Sequence, residues 1–142
     1  MRFEPEAKIE NAAQFSPLTL AFIGDGVYEL YVRSRLVRAG NIPASRLHVL
    51  AISYVRAAAQ AESIHAILDR LSEEELAIYK RGRNAKSATV PKNAVLSDYR
   101  AATGFEALLG YLYLIGRYQR LDEVMKLSYD VIAQKLQSHK ED

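Results

Sequence analysis

One helical stretch decides how this chain is interpreted: it reads LAFIGDGVYELY over residues 20–31. Its residues are almost all apolar, and one carboxylate, Asp25, stands between Gly24 and Gly26. Burying a lone Asp in such a run costs free energy unless a charge, a hydrogen-bond donor or a metal compensates it. The glycines leave the carboxylate uncrowded although each weakens the helix, a pattern that favours presenting Asp25 to a metal or a phosphate. The alternative is a buried Asp25 satisfied by a neighbouring Arg or Tyr hydroxyl.

A second apolar stretch repeats this pattern further along the chain. Residues 104–114 read GFEALLGYLYL and again hold one carboxylate, Glu106, beside small neighbours. Two such helices packed together bring Asp25 and Glu106 side by side, and two adjacent carboxylates need a cation. Hard oxygen ligands with open positions suit Mg²⁺ or Mn²⁺. The alternative for Glu106 is an ion pair between helices, for example with Arg33 or Arg100.

The two stretches together resemble a known family. Residues 22–30, FIGDGVYEL, resemble the signature helix of the ribonuclease III family, and residues 105–114, FEALLGYLYL, resemble the second catalytic helix of that family. Residues 81–87, RGRNAKS, and the short chain are similar to Mini-ribonuclease III, the branch that lacks a double-stranded-RNA-binding domain. The resemblance runs from about residue 16 to about residue 136.

The resemblance implies a metal-dependent endoribonuclease with an all-α fold, the helical bundle of the ribonuclease III endonuclease domain. It implies that Asp25 and Glu106 are catalytic and hold Mg²⁺, with Mn²⁺ as a substitute, so that the ion polarises a phosphate and lowers the pKa of an attacking water. The expected reaction is hydrolysis of both strands of double-stranded RNA, leaving 5′-phosphates and short 3′ overhangs, by a homodimer whose two-fold axis matches that of the duplex. In this branch the substrate is the precursor of large-subunit (23S) ribosomal RNA, and a ribosomal protein that presents this RNA is an expected partner.

Two positions depart from the family pattern. Family members carry further carboxylates four residues before the Asp and three residues before the Glu, where this chain has Ala21 and Thr103. The branch has a similarly reduced set, so activity is still expected, with weaker metal binding. Thr103 is a candidate contact to a water on the metal, and Glu29, four residues after Asp25 on nearly the same helix face, is a candidate second-shell group. For Glu29, an ion pair with Arg33 is the favoured alternative.

A cationic segment lies between the two motifs. Residues 80–93 hold five positive charges and no acid, and their Gly, Asn and Ser residues leave backbone N–H groups for phosphates. Because phosphate contacts in nucleic-acid complexes use this mixture, we expect the segment to hold the RNA backbone, although an ordinary solvated loop is the alternative. No aromatic residue offers base stacking, so recognition of an A-form duplex by shape is favoured. The predicted RNA-binding residues are Arg81, Arg83, Asn84, Lys86, Ser87 and Lys92.

Helical spacing and capping signals organise the chain as one domain. We expect an N-terminal tail over residues 1–15, weakly anchored by Phe15, and a single catalytic domain over residues 16–138 with no double-stranded-RNA-binding domain. Ser72 and Glu75 form a capping-box sequence. The predicted helices run from Ser16 to about Arg38, from Pro43 to about Leu71 with a break near Ala57, from Ser72 to about Lys80, from Ser97 to about Gly116 and from about Leu121 to about Gln137, with a loop over residues 82–96.

The composition excludes several function classes. The chain has no cysteine, which excludes disulfides and thiolate chemistry, and its three histidines lack the spacing of a zinc site. The net charge of +2 permits nucleic-acid binding without indicating it. No apolar run approaches the roughly 20 residues that span a bilayer, and the charged N-terminus lacks the apolar core of a signal peptide, so a soluble cytoplasmic protein is expected.

Tyrosines make the two carboxylate helices apolar nearly all round. Tyr28 and Tyr31 do so in the first helix, and Tyr111, Tyr113 and Tyr118 do so in and after the second. Such faces are buried or lie at an interface, which favours a homodimer. The alternative is simply a packed core.

Two rival functions stay open. A non-catalytic double-stranded-RNA-binding module with this fold is supported by Ala21 and Thr103, whereas the retained pair of Asp25 and Glu106 argues against it. A helical scaffold that binds proteins through its tyrosine-rich faces leaves the cationic segment unexplained. Metal-dependent cleavage separates an enzyme from the first rival, and salt-sensitive duplex binding excludes the second.

Overall fold

The computed structural model describes residues 8–86, 90–92 and 94–141, with side chains through residue 139. Six α-helices make up most of this part of the chain, and no strand occurs within it, so the predicted all-α fold is confirmed. The helices are α1, Pro17–Ala39; α2, Ala44–Val55; α3, Ala57–Ile67; α4, Glu73–Asn84; α5, Leu96–Leu114; and α6, Tyr118–Glu141. Short 3₁₀ turns cover Ala12–Gln14 and Leu68–Arg70. Across the described ranges, none of the helices is both long and apolar enough to cross a membrane.

Helix α5 runs through the middle of the bundle and packs against α1, α3, α4 and α6. Its side chains are buried almost all round, and Phe105, Leu108, Leu109 and Leu112 have no exposed surface. A helix that is apolar on every side is stable only where neighbours cover it. Because Glu106 lies on this helix, its backbone is at the centre of the bundle.

Glycines let α1 and α5 approach until their backbones touch. A Cβ added to Gly24 would lie 1.7 Å from the backbone oxygen of Glu106, and one added to Gly110 would lie 1.9 Å from the backbone oxygen of Leu20. Gly26, by contrast, has nothing within 4 Å of its Cβ position. Helix packing therefore requires the glycine before Asp25, whereas a side chain in place of the glycine after it would meet no neighbouring atom.

Helix α4 continues beyond its predicted end near Lys80 and ends at Asn84. The reason is Gly82, which predicted a loop in the sequence but lies buried within the helix. A Cβ at Gly82 would lie 2.8 Å from the Cα of Gly104 and 2.9 Å from the Cβ of Ala107, so this glycine allows α4 to cross α5 at close range. The predicted loop over residues 82–96 was therefore wrong at its start.

The capping box at the start of α4 is confirmed. The hydroxyl of Ser72 accepts from the backbone N–H of Glu75 at 3.1 Å, and the Glu75 carboxylate accepts from the backbone N–H of Ser72 at 2.8 Å. Glu75 is only 1% exposed, and Arg120 donates to its two carboxylate oxygens at 2.8 and 2.9 Å. This buried ion pair ties α4 to α6, which begins at Tyr118, three residues before the predicted Leu121.

Residues 8–15, the described part of the predicted tail, pack against the helices. Ala12 is fully buried. The backbone N–H of Ile9 donates to the carbonyl of Leu114 at 2.9 Å, which satisfies an acceptor at the end of α5. The segment is therefore held to the bundle by main-chain as well as apolar contacts.

The tyrosines that suggested an interface are all at least partly covered within one chain. Tyr28 and Tyr111 are buried, and Tyr31, Tyr113 and Tyr118 are partly buried. The packed-core alternative accounts for them. Among the described residues, the largest exposed apolar side chain is Phe22 of α1, which is 83% exposed.

Candidate active site

The carboxylates of Asp25 and Glu106 lie together where α1 touches α5. The close approach at Gly24 puts the backbone of Glu106 against the residue that precedes Asp25. The two side chains are within hydrogen-bonding distance of each other. Asp25 is exposed and Glu106 is partly covered, so the alternative of a buried Asp25 satisfied by a neighbouring Arg or Tyr is wrong. As the sequence predicts, the packing of the two helices brings the pair together.

Glu106 holds its proton more tightly than an ordinary glutamic acid. The pKa of Glu106 is raised to about 8, chiefly by burial and then by the hydrogen bond and the negative charge of Asp25, with a smaller contribution from the charge of Glu29. A hydrogen bond from Gln60 acts in the opposite direction and lowers the pKa of Glu106. Two carboxylates at this distance do not both ionise readily without a positive charge between them.

Gln60 of α3 belongs to the site although the sequence analysis missed it. Its side chain is 3% exposed. The Nε2 group donates to the backbone carbonyl of Val55 at 2.8 Å and to Oε2 of Glu106 at 3.2 Å. A signal was present in the sequence, because Gln60 is a single polar residue among alanines in AAAQA over residues 57–61, much as Asp25 is a single polar residue between glycines.

The candidate second-shell residues have other partners. Arg33 donates to the carboxylate of Glu29 at 3.0 Å, so the predicted ion pair between them is confirmed. The hydroxyl of Thr103 donates to the backbone carbonyl of Tyr99 at 3.0 Å, within its own helix. Arg33 is thus engaged by Glu29, and within the described part of the chain none of the ion pairs involves Glu106.

The donor set at Asp25 and Glu106 fits a hard divalent cation. Carboxylate oxygens are the ligands that Mg²⁺ prefers, and Mg²⁺ is commonly held by one or two carboxylates while water and substrate phosphates complete its coordination. Burial and the neighbouring charge of Asp25 raise the pKa of Glu106, and both penalties on its ionised form are ones that a cation relieves. Among the residues with described positions, no group of three or more His, Cys, Asp and Glu side chains is arranged to hold a metal. This agrees with the missing carboxylates at Ala21 and Thr103.

The predicted RNA-binding residues nearest the start of the cationic segment are helical. Arg81, Arg83 and Asn84 belong to the last turn of α4. The guanidinium of Arg81 donates to the backbone carbonyls of Ala13 and, at 3.1 Å, of Phe15. Arg81 therefore fastens the N-terminal segment to α4, a role that the sequence analysis did not predict.

The remaining predicted RNA-binding residues follow the helix. Lys86 and Lys92 are exposed, and Ser87 lies outside the described residues. A cavity of about 280 Å³ between the end of α4 and the start of α5 includes Lys86, Arg100 and Thr103 in its lining. Exposed cations therefore lie near the start of α5, the helix that carries Glu106.

Comparison with known proteins finds a matching family model and named relatives. Residues 18–117 match the family model described as "Ribonuclease III domain". The chain is 54% identical over 123 residues to a protein named Mini-ribonuclease 3 from Thermoanaerobacter sp. (strain X514), covering 87% of each chain. It is 43% identical over 133 residues to a Mini-ribonuclease 3 from Clostridium tetani, covering 93% of this chain and 88% of the relative.

A solved structure is similar over nearly the same length. The crystal structure of a protein from Fusobacterium nucleatum superimposes with a TM-score of 0.76 at 28% sequence identity. The match covers 86% of this chain and 98% of that one.

Proposed function

Because this chain belongs to the ribonuclease III family, it is an endoribonuclease, and we propose that it cleaves both strands of double-stranded RNA with Mg²⁺ at Asp25 and Glu106. The observation that carries this proposal is the contact between the two carboxylates at the crossing of α1 and α5. Two carboxylates held together by rigid backbone contacts cannot both be ionised at low cost unless a cation joins them. Mn²⁺ offers a similar preference for oxygen ligands and is the expected substitute.

Each residue of the site has a distinct part in this proposal. Members of the family generally depend on a divalent metal ion, which Asp25 and Glu106 would hold here. When bound, such an ion polarises the phosphate and makes water a better nucleophile. Asp25 is exposed, so an ion that it holds is open to the phosphates of the RNA, whereas Glu106 accepts a hydrogen bond from the buried Gln60. Attack of water on phosphorus with departure of the 3′ oxygen leaves a 5′-phosphate and a 3′-hydroxyl, and a staggered cut of the two strands leaves short 3′ overhangs.

Exposed cations support binding of the RNA backbone. Family members act on double-stranded RNA. Lys86 and Lys92 are exposed, Lys86 lines the cavity at the start of α5, and Arg83 and Asn84 lie in the last turn of α4. Duplex RNA is recognised mainly through its backbone and shape, for which such side chains suffice. Arg81 contributes less directly than the sequence predicted, because its guanidinium is occupied by the N-terminal segment.

A homodimer fits the duplex substrate. Members of the family function as dimers. Phe22 lies on α1 three residues before Asp25 and is 83% exposed, and aromatic side chains of this kind are enriched at interfaces. We place Phe22 in the interface of a symmetric dimer whose two sites each cut one strand.

The precursor of 23S ribosomal RNA is the proposed natural substrate, in the cytoplasm. The support is the similarity to proteins named Mini-ribonuclease 3 together with the branch resemblance in the sequence. The cationic segment is short and offers few contacts to the duplex, so a second protein that presents the RNA would strengthen binding. A ribosomal protein bound to that precursor is the proposed presenter.

A non-catalytic module that binds double-stranded RNA is the second candidate. It is favoured by the absence, among the described residues, of a group of three or more His, Cys, Asp or Glu side chains that could hold a metal. It leaves the buried hydrogen bond from Gln60 to Glu106 without a purpose, because a module that only binds RNA gains nothing from a carboxylate aimed at phosphates.

Incubation of a long duplex RNA with the protein decides between the two. We expect cleavage with Mg²⁺, none with EDTA, and a loss of at least about 10²-fold in kcat for the isosteric variant Asp25→Asn, because one ligand of the ion is lost. Asp122→Asn, the same isosteric change at an exposed position of α6, serves as the control. Duplex binding without cleavage by the wild-type protein would establish the non-catalytic module instead.

A further inference from the structure

The amide of Gln60 is held in one orientation by a backbone group. The carbonyl of Val55 can only accept a hydrogen bond, and it lies 2.8 Å from Nε2 of Gln60. Turning the amide over would place two oxygens against each other. The amide therefore presents N–H, and never oxygen, to Oε2 of Glu106 at 3.2 Å.

This arrangement suits a carboxylate that must stay ionised and fixed. A neutral N–H donor stabilises the charged form of Glu106 without adding a competing charge. It also occupies only one of the two carboxylate oxygens. Groups that orient ligands in this way are a regular part of metal sites.

The position of Gln60 is costly if its purpose is only structural. The side chain is 3% exposed, and its carbonyl oxygen Oε1 has no hydrogen-bond partner among the described residues. An unpaired buried acceptor carries a desolvation cost. An apolar side chain of the same size would avoid the cost at Oε1 but would leave the carbonyl of Val55 without its donor.

We propose that Gln60 is a positioning residue for the divalent cation: its amide, fixed by the carbonyl of Val55, holds Oε2 of Glu106 so that Oε1 is left to bind the ion. The inference rests on the proposed metal-dependent cleavage and adds to it a residue that does not itself touch the ion or the RNA. Gln60 acts only through Glu106.

Binding of Mn²⁺ to the RNA-free protein, followed by the electron paramagnetic resonance signal of the free ion, tests the inference without relying on cleavage. Gln60→Met keeps the length of the side chain and removes the donor. We expect the dissociation constant for Mn²⁺ to rise roughly tenfold or more and kcat to fall by a similar factor, with KM for duplex RNA nearly unchanged. In a Glu106→Gln background, Gln60→Met should change Mn²⁺ binding no further.

Ser63→Ala is the matched control. Ser63 is fully buried one turn further along α3, and its hydroxyl donates to the backbone carbonyl of Gln60. This variant removes a buried polar group from the same helix and should leave Mn²⁺ affinity unchanged. If Gln60→Met fails to fold, Gln60→Asn replaces it, because the shorter amide cannot span Val55 and Glu106.

The outcomes separate this inference from the proposed function. A folded Gln60 variant with wild-type Mn²⁺ affinity overturns the inference alone, whether or not its kcat falls, provided that the wild-type protein cleaves RNA with Mg²⁺. A wild-type protein that neither binds Mn²⁺ nor cleaves duplex RNA overturns both. Loss of Mn²⁺ affinity in the Gln60 variants but not in Ser63→Ala supports the assignment.

Discussion

Gly24 and Glu106 are in contact through their backbones: a side-chain carbon on Gly24 would lie 1.7 Å from the carbonyl oxygen of Glu106. The contact fixes α1 on α5 immediately before Asp25. The distance between the two carboxylates is therefore set by main-chain atoms and not by the packing of flexible side chains.

Replacing Gly24 by alanine should separate the helices. We expect Gly24→Ala to lower the free energy of unfolding by at least about 3 kcal/mol, because backbone atoms must move to admit the methyl group. Cleavage should fall as well, since Asp25 moves with α1. Gly26→Ala, whose methyl group meets nothing, should instead raise the free energy of unfolding by up to about 1 kcal/mol through helix propensity. Urea denaturation of the two variants makes the comparison, and equal stabilities would contradict it.

The buried ion pair between Glu75 and Arg120 should matter far more than an exposed one. Arg120→Met leaves the carboxylate of Glu75 buried and uncompensated, and we expect a loss of about 3–5 kcal/mol in the free energy of unfolding. Arg117→Met breaks the pair with Glu74, whose side chains are 49% and 53% exposed, and should cost at most about 1 kcal/mol. Thermal unfolding at equal protein concentration measures both. A similar loss in the two variants would show that burial does not set the strength of these pairs.

Arg81 should matter for the stability of the fold, whereas Lys86 should matter for binding of RNA. Arg81→Gln removes hydrogen bonds to the N-terminal segment and should lower the free energy of unfolding by about 1–3 kcal/mol. Lys86→Gln changes an exposed side chain and should alter stability by no more than about 0.5 kcal/mol. If Lys86 holds a phosphate, its variant should bind duplex RNA more weakly and lower the salt dependence by about one unit of the logarithmic slope. Titrations of labelled duplex at several salt concentrations provide this slope, and an unchanged slope would remove Lys86 from the RNA interface.

Stability without metal should fall as the pH rises from about 4.5 to about 8. Glu106 binds its proton more tightly in the folded protein, where its pKa is about 8, than at its ordinary value of 4.5. Its stabilising contribution is complete below the lower value and is lost as the pH rises through the higher one. Glu106→Gln cannot ionise, so in EDTA we expect its stability relative to the wild type to increase between pH 5 and pH 8.5. Urea denaturation at these two pH values is the measurement, and parallel pH dependences would refute the assignment of this pKa.

Substitution of Phe22 should disrupt the proposed dimer. Phe22→Ser removes a large exposed aromatic side chain, and its effect on the folded monomer should be small because the ring is not in the core. We expect the dissociation constant of the dimer to rise by at least about tenfold, since aromatic anchors carry much of the binding free energy of interfaces. Analytical ultracentrifugation measures the change. A dimer of undiminished affinity would place the interface elsewhere.

Periodicity and capping predicted most of the helices, and the error at the end of α4 has an identifiable cause. The capping box of Ser72 and Glu75 and the break between α2 and α3 follow from local signals that the tertiary structure does not override. Gly82 looks like Gly40 in the sequence, yet one lies inside a helix and the other ends one. The difference depends on whether a second backbone approaches, which the local sequence does not encode.

The sequence predicts those site residues whose chemical type is unusual for their surroundings, and it does not predict those whose role depends on distant partners. Asp25 and Glu106 stand out as single carboxylates in apolar helices. Gln60 is a neutral polar residue in an alanine-rich helix, and its value depends on Glu106, which is 46 residues away in the chain. Arg81 carries the charge expected of an RNA ligand, but its hydrogen bonds go to carbonyls that only the folded N-terminal segment brings near.

The main-chain contact between α1 and α5 also bears on how such a protein evolves. Core side chains can be exchanged for others of similar volume while the carboxylates stay in place, because every amino acid supplies the same backbone atoms. This tolerance depends on Gly24 and Gly110, where any side chain would push the helices apart. Sequence drift in the interior and constancy of the reaction are therefore compatible, as long as these two positions have no side chain at all.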